Sequence, residues 1–212
     1  MVSLKATSRK YHGKKAETYD AIRMKQARWD LEQGTIEKWL TELKPELVLD
    51  CPVGTGRFIT IYRHLKITGT GVDISEEMLE LAIKKNKGGV IDLAVGEATD
   101  IQCSENEYDC AVCVRFLDLI DQDAMRQVMK ELARVSKRWI ICTIRFGETY
   151  LPKSNTAEHD EKSFWKMVKK LGFQARDSVK FREGSWHILL LERSKENGQK
   201  ISKAGTATVD FT

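Results

Sequence analysis

Val48-Leu49-Asp50-Cys51-Pro52-Val53-Gly54-Thr55-Gly56-Arg57-Phe58 decides how this chain is read. A short apolar run ends on an acid, a turn carries two glycines, and residues suited to a helix follow. Two glycines in such a turn let the backbone bend tightly and let a ligand approach it closely. A lone Gly-x-Gly is a weak signal, and its surroundings strengthen it. Thr68 to Asp73 reads as a second strand, and Asp73 ends it 17 positions after Gly56. A carboxylate there can accept both ribose hydroxyls of an adenosine ligand. A dinucleotide fingerprint would need a third glycine at position 59, which is Ile59, and no Gly-Lys-Ser or Gly-Lys-Thr of a P-loop follows. The pattern therefore points to an adenosine ligand without a pyrophosphate.

Outward from this stretch, strand-like and helix-like segments alternate. Trp29, Ile36, Leu40 and Leu43 fall on one helical face before the first strand, and Phe58 to Leu65 fits a helix after it. Ser75 is a good N-cap, with Glu76 and Glu77 in the first turn where the helix dipole favours anions. Gly88-Gly89 is expected to stop that helix. Val90–Val95, Tyr108–Val114 and Trp139–Ile144 read as strands three to five. Met125, Val128, Met129, Leu132 and Val135 space the helix between the last two. Phe164, Met167, Val168 and Leu171 mark a late helix that ends at Gly172. Phe173–Phe181 and Trp186–Leu191 then form an antiparallel pair. The expectation is an α/β fold: a doubly wound, mostly parallel seven-stranded sheet with an antiparallel last strand pair and helices on both faces. Ligands of such sheets bind at the carboxyl ends of the strands.

The chain has 212 residues, 42% hydrophobic and 31% charged, with a net charge of +4. That suits one domain with one core. No apolar run approaches the ~20 residues of a membrane span. Met1-Val2-Ser3-Leu4-Lys5 has no apolar signal core, so a cytoplasmic location is expected. Residues 1–28 hold eight Lys and Arg against Glu17 and Asp20, more than the whole net charge. This reads as a solvated helical cap over residues 1–45, or as a lip that attracts an anionic substrate. The polar tail 194–212 is expected to be flexible. Cys110 and Cys113 form a C-x-x-C within a strand, where residues three apart point to opposite faces. The five cysteines are read as structural thiols, and no metal is expected.

The quoted stretch resembles motif I of class I S-adenosylmethionine-dependent methyltransferases, with Pro52 in place of the first glycine. Gly71-Val72-Asp73-Ile74-Ser75-Glu76-Glu77-Met78 resembles motif II. Gly96-Glu97-Ala98-Thr99-Asp100 resembles motif III, and Tyr108-Asp109 through Arg115 resembles motif IV. The likeness spans about residues 10 to 193 and implies a Rossmann-like methyltransferase domain over 46–193, with S-adenosylmethionine as cofactor. It implies that Asp50, Cys51, Pro52, Gly54 and Gly56 shape the methionine end. Asp73 holds the ribose, Ile74 and Met78 flank the adenine, and Glu97 and Ala98 bond its edge. Tyr11 and Tyr19, in Tyr-x-x-x-x-Ala-x-x-Tyr-Asp, resemble the N-terminal cap of small-molecule members. Tyr19 is expected to close over the cofactor and Tyr11 to reach the substrate.

A sulfonium already activates its methyl group, so the protein must mainly align acceptor, methyl and sulfur and keep water out. Arg115 and Arg145 follow strands four and five and are expected at the acceptor pocket, since an arginine fork suits carboxylate or phosphate. Asp118 is the alternative partner of Arg115. Arg115, Arg145 and His159 are the candidate catalytic residues. His12 is a second candidate base, and His64 and His187 read as packing. The first expectation is methyl transfer to a small, anionic acceptor. The alternatives are a nucleic-acid (RNA or DNA) methyltransferase that uses the basic N-terminal segment, and a non-catalytic S-adenosylmethionine-binding regulatory or assembly protein.

Overall fold

The computed structural model describes residues 18–26, 28–147, 157–181 and 185–195. Residues 1–17, with Tyr11 and His12, and the expected tail beyond Lys195 lie outside the described residues. Strands β1 (Leu47–Asp50), β2 (Thr68–Asp73), β3 (Ile91–Val95), β4 (Tyr108–Cys113) and β5 (Ser136–Arg145) run parallel. Strands β6 (Phe173–Lys180) and β7 (Trp186–Arg193) complete a sheet of order β3-β2-β1-β4-β5-β7-β6. Strand β7 slots between β5 and β6 and runs antiparallel to both. The expected architecture is the observed one.

The helices are α1 (Tyr19–Arg23), α2 (Arg28–Leu43), α3 (Ile59–Leu65), α4 (Glu76–Lys85), α5 (Gln122–Val135) and α6 (Glu161–Lys170). A parallel sheet needs cover on both faces, and the alternation within each strand divides the core in two. Val48, Cys110, Val112 and Ile141 pack with α2, α3 and α4. Leu49, Ala111, Cys113 and Ile140 pack with α5 and α6. Cys110 and Cys113 thus lie on opposite faces as expected, and all five cysteines are free thiols. The spacing read for α5 is fully buried: Met125, Val128, Met129, Leu132 and Val135 all face the sheet. Ser75, Asp121 and Asp160 each accept a first-turn N–H of α4, α5 and α6.

Two boundaries and one burial differ from the sequence reading. Helix α4 ends at Lys85, ahead of Gly88-Gly89. The Asn86 side chain stops it by accepting from Val90 N–H (2.9 Å) and donating to the Ile91 carbonyl (2.6 Å). Strand β5 begins at Ser136, directly after α5, because Lys137 and Arg138 are extended but exposed and so carry no apolar alternation. His64 is exposed on α3, not packed, whereas His187 does pack, its ring 4.9 Å from that of Phe146.

Two glycines test these packing arguments in opposite directions. Gly56 has φ +72°, and a β-carbon there would lie 2.5 Å from Ile59 Cδ1 and 3.1 Å from Ala82 Cα, at the contact of α3 with α4. Gly34 is exposed on α2 with nothing within 4 Å of such a carbon. We expect Gly34→Ala to stabilise the protein by about 0.5–1 kcal/mol. Gly56→Ala should destabilise it by more than about 1 kcal/mol. Urea denaturation of both variants checks this, and shifts of the same sign would contradict it.

Candidate functional site

The segments that follow β1 to β4 surround one cavity of about 970 Å³, counting the space at its open mouth. After β1 it is lined by Cys51 to Thr55, after β2 by Asp73 to Ser75, after β3 by Gly96 to Ala98, and after β4 by Val114 to Phe116. Tyr19 and Trp29 of the N-terminal helices and Met78 of α4 close it further. The turn after β1 bends at Gly54 (φ +55°) and Gly56 (φ +72°), where other residues are strained. Its N–H groups are tied in turn: Cys51 to the Val112 carbonyl, Val53 to that of Val72, and Gly54 to the Asp73 carboxylate.

Asp73 joins two of these segments. Its Oδ2 accepts from Gly54 N–H (2.8 Å) and its Oδ1 from Ser75 N–H (2.9 Å). Burial raises its pKa, and the backbone N–H groups of Ser75, Gly54 and Ile74 oppose that rise. A carboxylate offers about four lone-pair sites, so Asp73 keeps capacity for ligand hydroxyls on the wall of the cavity. Asp50 lies beneath the turn and is 2% exposed, accepting from the Tyr62 hydroxyl at 3.0 Å. Burial pushes its carboxyl from 3.8 up to about 7, with the Tyr62 bond acting the other way.

Arg57 and Arg115, which also line the cavity, belong to a charged cluster. Glu32 of α2 is 3% exposed and binds two guanidinium groups through one oxygen: Arg57 Nη1 at 2.8 Å and Arg115 Nε at 2.6 Å. Arg57 stacks 3.6 Å over the Trp29 ring and donates to the Trp29 carbonyl. Arg115 is left-handed (φ +57°), a strained conformation for a non-glycine residue. Its N–H is bound to Thr143 Oγ1 (2.6 Å) and its Nη1 to Gln26 Oε1 (2.9 Å). Its Nη2 is buried without a partner.

Residues 48–138, fewer than half of the chain, match the family model described as a methyltransferase domain. No curated protein sequence matches the chain. A magnesium protoporphyrin IX methyltransferase from Synechocystis PCC 6803 with S-adenosylhomocysteine (SAH) bound is similar at TM-score 0.75 and 17% identity, over 90% of this chain and 99% of that one. A S-adenosylmethionine-dependent methyltransferase from Clostridium acetobutylicum ATCC 824 is similar at TM-score 0.66 and 18% identity, over 85% and 98% of the two chains. One from Methanosarcina mazei follows at TM-score 0.57 and 16% identity, over 71% and 92%. At these identities the structures speak for the fold, and the family model speaks for the domain. Residues 48–138 thus match a methyltransferase domain, set in a fold that the chain shares with solved methyltransferases.

The fold brings most of the sequence-predicted site residues together. Asp50, Cys51, Pro52, Gly54, Asp73, Ile74, Met78, Glu97, Ala98, Tyr19 and Arg115 all line the cavity. Gly56 does not, and serves helix packing instead. Tyr11 lies outside the described residues. Arg145 does not line the cavity: its Nη2 pairs with Glu158 (2.7 Å) and its Nε donates to Ser185 Oγ (3.0 Å). His159 is buried outside the lining, donating from Nε2 to the Leu117 carbonyl (2.7 Å). Asp118 is not the partner of Arg115; Glu32 holds that place. Among the described residues no group of His, Cys, Asp and Glu is arranged to hold a metal.

Sequence reasoning missed Glu32, Arg57 and the Asp20 cluster, in which Asp20 accepts from Thr55 Oγ1 (2.7 Å) and pairs with Lys85. Glu32 did leave a signal, as a charge on the face that Trp29, Ile36 and Leu40 bury. The Asp50 carboxyl generates a prediction. Its folded pKa of about 7 exceeds its ordinary 3.8, so the folded state keeps a proton that the unfolded chain releases. Its contribution to stability is then complete below about pH 4 and is lost as pH rises towards 7. Asp50→Asn removes that loss. In cofactor-free protein the variant should gain stability relative to wild type between pH 5 and pH 8, measured by urea denaturation. A stability difference that stays flat with pH would contradict the assignment.

Proposed function

We propose that the protein transfers the methyl group of S-adenosylmethionine to a small anionic acceptor. Bound in the cavity, the sulfonium supplies a methyl group already activated for displacement. The chain's own residues then bind, align and exclude water. In this reading Asp73 accepts the ribose hydroxyls with the capacity left by its backbone donors. Ile74 and Met78 flank the adenine, Glu97 and Ala98 meet its edge, and the turn from Cys51 to Gly54 receives the methionine end. Tyr19 and Trp29 cover the cavity from the N-terminal side.

One observation carries the anionic acceptor: Arg115 lines this cavity, 7% exposed, with Nη2 buried and unpartnered. An arginine whose remaining donor has no protein acceptor suits an anion at that position. Glu32 fixes the guanidinium but shares its charge with Arg57, so the three groups together stay cationic. Arg115, and not Arg145, is the cavity-lining arginine of this proposal, since Arg145 is committed to Glu158.

A methyl-donor turnover screen over small carboxylates, phosphates, neutral alcohols and amines, RNA and DNA tests the proposal. Turnover is expected with anionic small molecules. For the best of them, Arg115→Lys should lower kcat/KM at least about ten-fold by losing the planar fork. SAH affinity should change much less. Turnover confined to neutral or nucleic-acid acceptors, or an Arg115→Lys enzyme with wild-type efficiency, would overturn the anionic reading.

A further inference from the structure

Four arginines lie around the carboxyl ends of β4 and β5, and three have a carboxylate. Arg57 and Arg115 share Glu32, and Arg145 takes Glu158. Arg28, at the start of α2, makes no ion pair with a carboxylate among the described residues. It stacks 3.9 Å over the Trp186 ring. Its Nε donates to Gln26 Oε1 at 3.4 Å, and the same oxygen accepts from Arg115 Nη1 at 2.9 Å. Two guanidinium groups therefore converge on one neutral amide oxygen, with their donor nitrogens within about 6 Å of each other.

A neutral amide oxygen compensates neither charge. Burial lowers the Arg28 pKa, and the Arg115 charge adds to that effect, while Glu32 and Asp118 oppose it. Asp118 is buried, with Oδ1 unpartnered, and pairs with neither arginine. Beside Arg28 a crevice of about 240 Å³ runs between α2 and the β5–β7 pair, lined by Leu31, Thr143, Trp186 and Ile188 among others. Glu32 also borders it, already bound to two guanidinium groups. The features wanted for an amphiphilic anion adjoin each other: two converging cations, one with an unused buried donor, and an apolar crevice.

We propose that Arg28 and Arg115 form a two-arginine clamp for the oxyanion group of the acceptor, with the Gln26 side-chain oxygen standing where an oxygen of that anion binds. This rests on the small anionic acceptor proposed above and adds its subsite. The Trp186 side of the crevice receives the apolar body attached to the anion, and Gln26 swings aside when the anion arrives. Replacing a neutral acceptor by a charged one strengthens both hydrogen bonds.

The test uses full-length, SAH-saturated protein titrated with inorganic phosphate and with benzoate, following the arginine Nε–Hε signals by NMR. Both the Arg28 and the Arg115 signals should shift in one saturable transition, and the tighter of the two probes identifies phosphate or carboxylate as the preferred head group. Arg28→Gln should weaken that binding at least ten-fold with SAH affinity kept within two-fold. Gln26→Glu places a carboxylate in the clamp without removing a contact, and should abolish anion binding even if the Arg28 variant folds poorly. Anion binding that depends on Arg115 but survives both Arg28→Gln and Gln26→Glu would overturn the clamp and leave the anionic acceptor standing. No anion binding in wild type, together with turnover of neutral acceptors only, would overturn both.

Discussion

One carboxylate fixes the relation between fold and site. Asp73 ends β2 and accepts N–H groups from the turn after β1 and from the start of α4. The parallel register of β1 with β2 sets these segments side by side, Asp50 opposite Gly71. Without that acceptor the Gly54 N–H, in a tight left-handed turn, would be left against the cavity. A buried unpaired donor costs about 1–3 kcal/mol. The bond that shapes the turn thus also leaves the carboxylate oriented on the cavity wall. Burial raises its pKa, and the backbone donors oppose that rise.

The N-terminal helices are joined to this frame by charge as well as by apolar contact. Glu32 brings a negative charge into the core and meets Arg57 from the turn after β1 and Arg115 from the end of β4. Removing one partner of such a buried group leaves an uncompensated charge, a cost of about 3–5 kcal/mol. Helix α1 has no buried residue and is tied by Asp20 to Thr55 and Lys85. The cover of the cavity therefore depends on ion pairs, whereas its floor depends on strands and backbone hydrogen bonds.

The sequence made the sheet legible because parallel strands buried on both faces read as short apolar runs, and because Asp50 and Asp73 end two of them. The lining of the cavity followed from the same signals, since a turn after a strand can only lie at the strand's carboxyl end. The acceptor side was legible only as far as Arg115. Arg145 occupies the equivalent place one strand over, yet Glu158, thirteen positions on, turns it to another partner, a pairing that strand order cannot reveal. The Arg115–Glu32 pair spans 83 positions and depends on how α2 crosses the sheet. Only the misplaced charge on the α2 face hinted at it. Asn86 hid behind two glycines for a similar reason: a side-chain cap ended α4 before the glycine turn was reached.

Whether the cavity binds an adenosyl cofactor through Asp73 is decided by titration calorimetry of wild type and Asp73→Asn with SAH and with NAD. Wild type should bind SAH and bind NAD much more weakly. The variant should lose more than about 1.5 kcal/mol of SAH binding, the scale of hydrogen bonds to a charged group, while it still unfolds cooperatively. Unchanged SAH affinity in that folded variant, or NAD binding tighter than SAH, would contradict the account.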